Sequence, residues 1–215
     1  MSINPFFFQY ASYDEWRKNR IAKLYEIMGD EFFQNSNGLE VGCGFGQISQ
    51  FLTERSQTNM TCSEGRKIYL KEIKKNNPQS NVIIHNHNEL WSNKFESHYD
   101  FIIHWGLLYH LNNWKQDLSE AGKRTDVLFL ETIVDINNVT SYITEKLGYD
   151  QALDGKGSRQ STDEVENELK LNGFVDVKRY DDKSLNAGHH LYDWTENANI
   201  NVSKYGTRRF WIAKK

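Results

Sequence analysis

The stretch NGLEVGCGFGQISQFL, Asn37 to Leu52, sets Gly42, Gly44 and Gly46 within five residues, between two apolar runs. Glycine weakens strands and helices alike, but it lets a backbone turn sharply and lets a ligand approach the main chain closely. GLEVGC reads as a buried strand and QISQFLTER as a helix opening straight after the glycines. A strand, a glycine loop and a helix in that order make a ligand-binding turn of an open α/β sheet, where ligands sit at the carboxyl ends of the strands.

Downstream, the same alternation continues. NMTCSE, NVIIHN, YDFIIHW and DVLFLETIV read as strands, and RKIYLKEIKKN and NNWKQDLSEAG as helices between them. A further helix is expected near VTSYITEKLG and another over STDEVENELKLNGF, where Ser161 and Glu164 form a capping box. Upstream, SYDEWRKNRIAKLYEIM carries Trp16, Ile21, Leu24, Ile27 and Met28 at helical spacing, with Ser12 and Glu15 as a second capping box. VDVKRY and RRFWIAKK read as a closing antiparallel strand pair, because no helical period separates them. Strands alternating with helices imply a mostly parallel, doubly wound sheet with helices on both faces.

The glycines do not complete a dinucleotide fingerprint, since Gln47 stands where a third glycine belongs, and a phosphate-binding Walker loop is absent. Glu64 ends the second strand about 20 residues past the loop, where a carboxylate accepts hydrogen bonds from ribose hydroxyls. Its other reading is a cap on the helix beginning near Arg66. Together with Glu40, it favours a ligand.

LEVGCGFG, CSEG, NVIIHNHNEL, YDFIIHWGLLYHL and DVLFLET, in that order, resemble the successive motifs of the class I, Rossmann-like S-adenosylmethionine-dependent methyltransferases over roughly residues 35 to 135. The resemblance implies an α/β fold: a doubly wound, mostly parallel seven-stranded sheet with an antiparallel last strand, plus an N-terminal helical cap. It implies one methyltransferase domain over 1–215, with 1–36 as the cap and 37–215 as the core with acceptor-pocket loops. The implied cofactor is S-adenosyl-L-methionine. Carried over, Glu40, Gly42 and Gly44 hold its methionine part and Glu64 its ribose. Asn86, in place of the family's usual aspartate, and His87 fall at the adenine amino group. His104 falls at the methyl end.

Methyl transfer needs a general base only where the acceptor starts protonated. His110, in GLLYHL, is one candidate base, or else a residue that orders its loop. In NAGHHLYDW, His189 and His190 are further catalytic candidates, with Tyr192, Asp193 and Trp194 beside them; the other reading is a surface loop. No His pair at i, i+4 or His–Cys cluster supports a metal. LDGKGSRQST, Leu153 to Thr162, reads either as a solvated linker or as a flexible basic loop, with Lys156 and Arg159, holding an anionic acceptor group at a helix start. The aromatic FFFQYASYDEW reads as core, as an interface, or as a lid over the cofactor.

A net charge of −3 argues against a general nucleic-acid binder. No stretch approaches the roughly 20 apolar residues of a membrane span. The two cysteines, Cys43 and Cys62, lack metal spacing, and the N-terminus lacks a basic leader, so a cytoplasmic protein is expected. The expected activity is methyl transfer to a small-molecule acceptor. The alternatives are a tRNA or other macromolecular acceptor, since GLLYHL also occurs in relatives that modify tRNA, and a non-catalytic cofactor-binding partner subunit. The methylated atom and the oligomeric state are not legible in the sequence.

Overall fold

The computed structural model describes residues 11–135, 140–145, 152–187 and 207–215. Its frame is a seven-stranded sheet of β1 (Asn37–Val41), β2 (Asn59–Glu64), β3 (Asn81–Ile84), β4 (Phe101–Trp105), β5 (Val127–Val134), β8 (Asp176–Tyr180) and β9 (Thr207–Lys214), in the order β3-β2-β1-β4-β5-β9-β8. The first five strands pair in parallel. The closing pair is antiparallel, as the sequence suggests, but β9 does not take the edge. It inserts between β5 and β8, pairing antiparallel with both.

Successive side chains of a strand point to opposite faces, and the apolar strands of this sheet are buried on both. Leu39, Val41, Ile102, Leu128 and Leu130 pack on one face with Leu118 of α5 (Trp114–Gly122) and Val165 and Leu169 of α6 (Thr162–Leu171). Phe101, Ile103, Phe129, Phe210 and Ile212 pack on the other with α1 (Ala11–Met28), α2 (Asp30–Phe33) and α3 (Gln47–Ser56), which contribute Trp16, Ile21, Leu24, Phe33, Ile48 and Leu52. Between β2 and β3, a 3-10 turn at Lys67–Tyr69 leads into α4 (Leu70–Asn76). No helix among the described residues is long and apolar enough to cross a membrane.

Three local expectations change. The helix near VTSYITEKLG is instead strand β6 (Tyr142–Glu145), and the stretch read as a loop contains strand β7 (Lys156–Arg159). The two pair antiparallel as a separate ribbon, Tyr142 opposite Arg159. Tyr142, Ile143 and Thr144 suit a pleated strand better than a helix. Finally, α1 begins at Ala11, so Ser12 lies within the helix rather than at its N-cap.

The ribbon is fastened to the sheet just beyond β5. Asp135 N–H donates to the Gln160 carbonyl at 2.9 Å, and Thr132 Oγ1 donates to Gln160 Oε1 at 3.2 Å. Gln160 Nε2 and Ser158 Oγ donate to the carbonyls of Leu108 and Leu111, the first residue of the 3-10 turn Leu108–His110 and the residue that follows it. The ribbon therefore fixes the turn that carries Tyr109 and His110.

Half of the expected capping box forms: the Ser161 hydroxyl accepts from Glu164 N–H at 3.2 Å and starts α6, while the Glu164 carboxylate accepts from Ser141 N–H and Ser161 N–H donates to Ser141 Oγ. Ser161→Ala is expected to cost about 1 kcal/mol in urea denaturation, with Ser161→Asp close to neutral. Equal losses in both variants would mean that the hydroxyl acts elsewhere than at the cap.

Candidate active site

At the carboxyl ends of β1, β2 and β4 lies a cleft of about 1070 Å³, its open mouth included. Its floor is the glycine loop. Gly42, Gly44 and Gly46 all adopt positive φ, 64°, 57° and 71°, which side chains disfavour. A Cβ on Gly42 would also meet the Leu107 side chain, another cleft residue, at 3.0 Å.

Two buried carboxylates shape this loop. Glu64 Oε2 accepts from Gly44 N–H and Oε1 from Arg66 N–H, each at 2.9 Å. The cap reading and the ligand reading of Glu64 are compatible, because an ionised carboxylate has about four acceptor positions. Glu40 Oε2 accepts from both the N–H (2.9 Å) and the hydroxyl of Ser49, in the first turn of α3. Burial raises the pKa of both acids. Glu40 is pushed up to about 7, against the opposing pull of Ser49 and Arg17 and with the help of Glu64's like charge. Arg17 lines the cleft from α1, beside Tyr13 and Trp16.

Asn86, His87 and Asn88 line the far end. Asn86 Oδ1 accepts from Asn88 N–H at 3.1 Å, an Asx turn that leaves the oxygen a second lone pair. Asn88 donates to Asp154 at 2.9 Å and accepts from Asn112 N–H. This draws in the 152–155 turn, whose Leu153 overhangs Gly65: a Cβ there would fall 2.2 Å from Leu153 Cδ1.

His87 lines the cleft as expected, but His104 does not. Both ring nitrogens of His87 are engaged, with Ser63 Oγ at 2.9 Å and Asp117 Oδ1 at 2.8 Å, so it offers the cleft a ring rather than a hydrogen bond. His104 is fully buried and is not among the cleft residues; its Nε2 meets Asp117 Oδ2 at 2.6 Å. The cause is strand parity: His104 projects to the α5 face, while its neighbour Trp105 faces the cleft side. Asp117, which also accepts from Trp91 Nε1 at 2.7 Å, is buried. Although burial raises its pKa, the two histidines bring it below the usual carboxylate range.

The opposite end of the cleft is formed by Trp105, Tyr109, His110 and Arg208. Arg208 Nη1 pairs with buried Glu131 at 2.6 Å. Burial alone would lower the Arg208 pKa, but Glu131 raises it. Arg20, stacked on Trp16 at 3.8 Å, also approaches Glu131, at 3.6 Å. Sequence reasoning missed Asp117 and Arg208, which belong to no motif, and Glu131, which sits unremarked inside DVLFLET. A signal existed for one pair: Glu131 in DVLFLETIV and Arg208 in RRFWIAKK are charges in strands otherwise buried, where charges are normally paired. His189, His190, Tyr192, Asp193 and Trp194 lie outside the described residues.

Residues 13–179 match the family model described as a methyltransferase domain. No curated protein sequence matches the chain. Similar solved structures include the N-terminal domain of EvdMO1 in the presence of S-adenosylhomocysteine and D-fucose, 15% identical, covering 94% of this chain and 82% of that one with a TM-score of 0.65. An S-adenosylmethionine-dependent methyltransferase from Mesorhizobium loti is 10% identical, covering 92% and 98%, with a TM-score of 0.62. The Burkholderia thailandensis 1,6-didemethyltoxoflavin-N1-methyltransferase, with its namesake ligand and S-adenosylhomocysteine bound, is 15% identical, covering 94% and 78%, with a TM-score of 0.57.

The Glu40 shift has a testable sign. Its pKa is about 7 folded against an ordinary 4.5, so its stabilising contribution is full below pH 4.5 and is lost as pH rises through 7. In that window the ligand-free protein is expected to lose roughly 3 kcal/mol of unfolding free energy that Glu40→Gln does not lose. Urea denaturation of both proteins at the two ends of the window measures the difference; parallel losses would contradict a protonated Glu40.

Proposed function

Because this chain belongs to the methyltransferase-domain family, with S-adenosylmethionine as cofactor, we propose that it methylates a small-molecule acceptor at the Tyr109–His110 end of the cleft. The observation that carries this reading is the contribution of α1 to the cleft. Tyr13, Trp16 and Arg17 of α1 line it together with the glycine loop, so the site is a recess rather than an open face. A recess lined by aromatic rings with a few polar groups suits a small ligand. A net charge of −3 supports a small acceptor over a nucleic acid.

The residues fit the cofactor. Glu64 accepts the ribose hydroxyls on the lone pairs that Gly44 and Arg66 do not use. Gly42 and Gly44 let the methionine part lie against the backbone, and Glu40 faces its ammonium group. Asn86 accepts from the adenine amino group through Oδ1, and His87 contributes its ring. Bound there, S-adenosylmethionine supplies a methyl group already activated by the positive sulfonium. The chain's part is then to orient the acceptor and exclude water. His110, half-buried with its ring centroid 4.1 Å from that of Tyr109, takes the proton of an acceptor that starts protonated, since imidazole titrates near neutrality. His189 and His190 remain candidates for the same task.

Two outcomes are expected. Glu64→Ala lowers S-adenosylhomocysteine affinity in titration calorimetry by about tenfold or more, since hydrogen bonds to a charged group are at stake; unchanged affinity would leave Glu64 as a loop clamp alone. Methyl-labelled cofactor, incubated with the protein and a size-fractionated cell extract, delivers label to the low-molecular-weight fraction. Label in RNA or protein would replace the small-molecule reading with the macromolecular one.

A further inference from the structure

Tyr109 lies between cofactor cleft and ribbon, and two guanidinium groups lie over its ring. Arg208 and Arg159 each place their central carbon 5.6 Å from the ring centroid. Arg208 comes from β9 and is committed to Glu131. Arg159 comes from the end of β7 and differs in kind. It is half-buried, and among the described residues no carboxylate comes within ion-pair distance of it. Its one hydrogen bond there is from Nη1 to the adjacent Ser158 carbonyl, at 3.2 Å.

The surrounding charges do not explain it. The acid that acts on Arg159 electrostatically is Asp135, whose carboxylate accepts the Tyr142 hydroxyl at 2.9 Å. Arg208 repels it. Burial lowers its pKa, and Tyr109 and Tyr142 act in the opposite direction. A guanidinium stays protonated in proteins, and its planar fork matches the oxygens of carboxylates and phosphates. Holding such a group half-buried without a carboxylate is costly, and a ligand oxyanion removes that cost. The start of α6 is a poor alternative anion site, because Asp163 and Glu164 stand in its first turn and Ser161 takes one of its N–H groups.

We infer that the acceptor carries an anionic oxygen group, a carboxylate or a phosphate, which Arg159 binds beside Tyr109. The inference rests on the small-molecule methyl-transfer reading of this cleft and names the acceptor's chemical class. The ribbon gains a role with it: its attachment to the Leu108–His110 turn sets the distance between the anion-binding cation and the transfer end of the cleft.

The test uses the full chain saturated with S-adenosylhomocysteine. Benzoate, phenyl phosphate and neutral benzamide serve as probes in titration calorimetry, the ring standing for an acceptor body against Tyr109. At least one anion should bind and benzamide should not. Arg159→Gln should weaken that anion about tenfold or more, the scale of one lost charge-assisted contact, while S-adenosylhomocysteine affinity stays within about twofold of the wild type, the spread expected for a site it does not touch. Arg159→Lys should recover part of the loss. Preference for benzoate assigns a carboxylate acceptor, and preference for phenyl phosphate a phosphate. Equal binding of benzamide, no anion binding, or unchanged anion affinity in Arg159→Gln would overturn the inference while leaving the cofactor site intact. Failure of S-adenosylhomocysteine to bind at all would fell the cofactor site and this inference together.

Discussion

Glu64 and Gly44 are 20 residues apart, and the 2.9 Å hydrogen bond between carboxylate and amide is the contact on which the cleft depends. It ties the end of β2 to the loop that ends β1, so the two strands present one continuous rim. Glu40 does the same one strand over, anchoring the first turn of α3 through Ser49. Each carboxylate is buried and hydrogen-bonded, Glu64 by two main-chain N–H groups and Glu40 by the N–H and hydroxyl of Ser49, which is how a protein keeps such acids inside. The glycines follow from this. Glycine adopts the positive φ of this loop without strain, and a Cβ on Gly42 or Gly46 would crowd Leu107 or Asn77.

The same arrangement makes the ligand-free site electrostatically uneven. Two buried acids at one end are opposed by Arg17 and Arg66, and burial still holds the Glu40 pKa near 7. At the other end, Arg20, Arg159 and Arg208 gather around Trp16 and Tyr109 with Glu131. The ammonium group of the cofactor and an anionic group on the acceptor would each meet the opposite charge. Complementarity of that kind contributes to orientation as well as to affinity, and orientation is what methyl transfer asks of the protein.

Much of this was legible in the sequence because parallel strands buried on both faces read as continuous apolar runs bounded by glycine and asparagine. β1 in GLEVGC, β4 in YDFIIHW and β5 in DVLFLETIV emerged from such runs, and the Ser161 cap from its own local pattern. The ribbon did not. Its strands have four residues each, and β7, with the sequence KGSR, has the composition of a loop; it is a strand because it pairs with β6 and its Ser158 and Gln160 bond to the Tyr109 turn. The place of β9 inside the sheet was equally hidden, since pairing order is a tertiary property. For His104, the sequence located the residue at the right strand end but not on the right face. A one-residue change of parity separates a cleft side chain from one bonded to Asp117 beneath it.

The central claim is that the carboxyl-end cleft, with Glu64 as its ribose acceptor, is where the cofactor lies. A crystal structure with S-adenosylhomocysteine tests it most directly. The account predicts both ribose hydroxyls within hydrogen-bonding distance of the Glu64 carboxylate, the adenine beside Asn86 under Leu153, and the thioether sulfur toward Tyr109 and His110. A ligand whose ribose lies away from Glu64, or whose sulfur points to the Asn86 end, would contradict it.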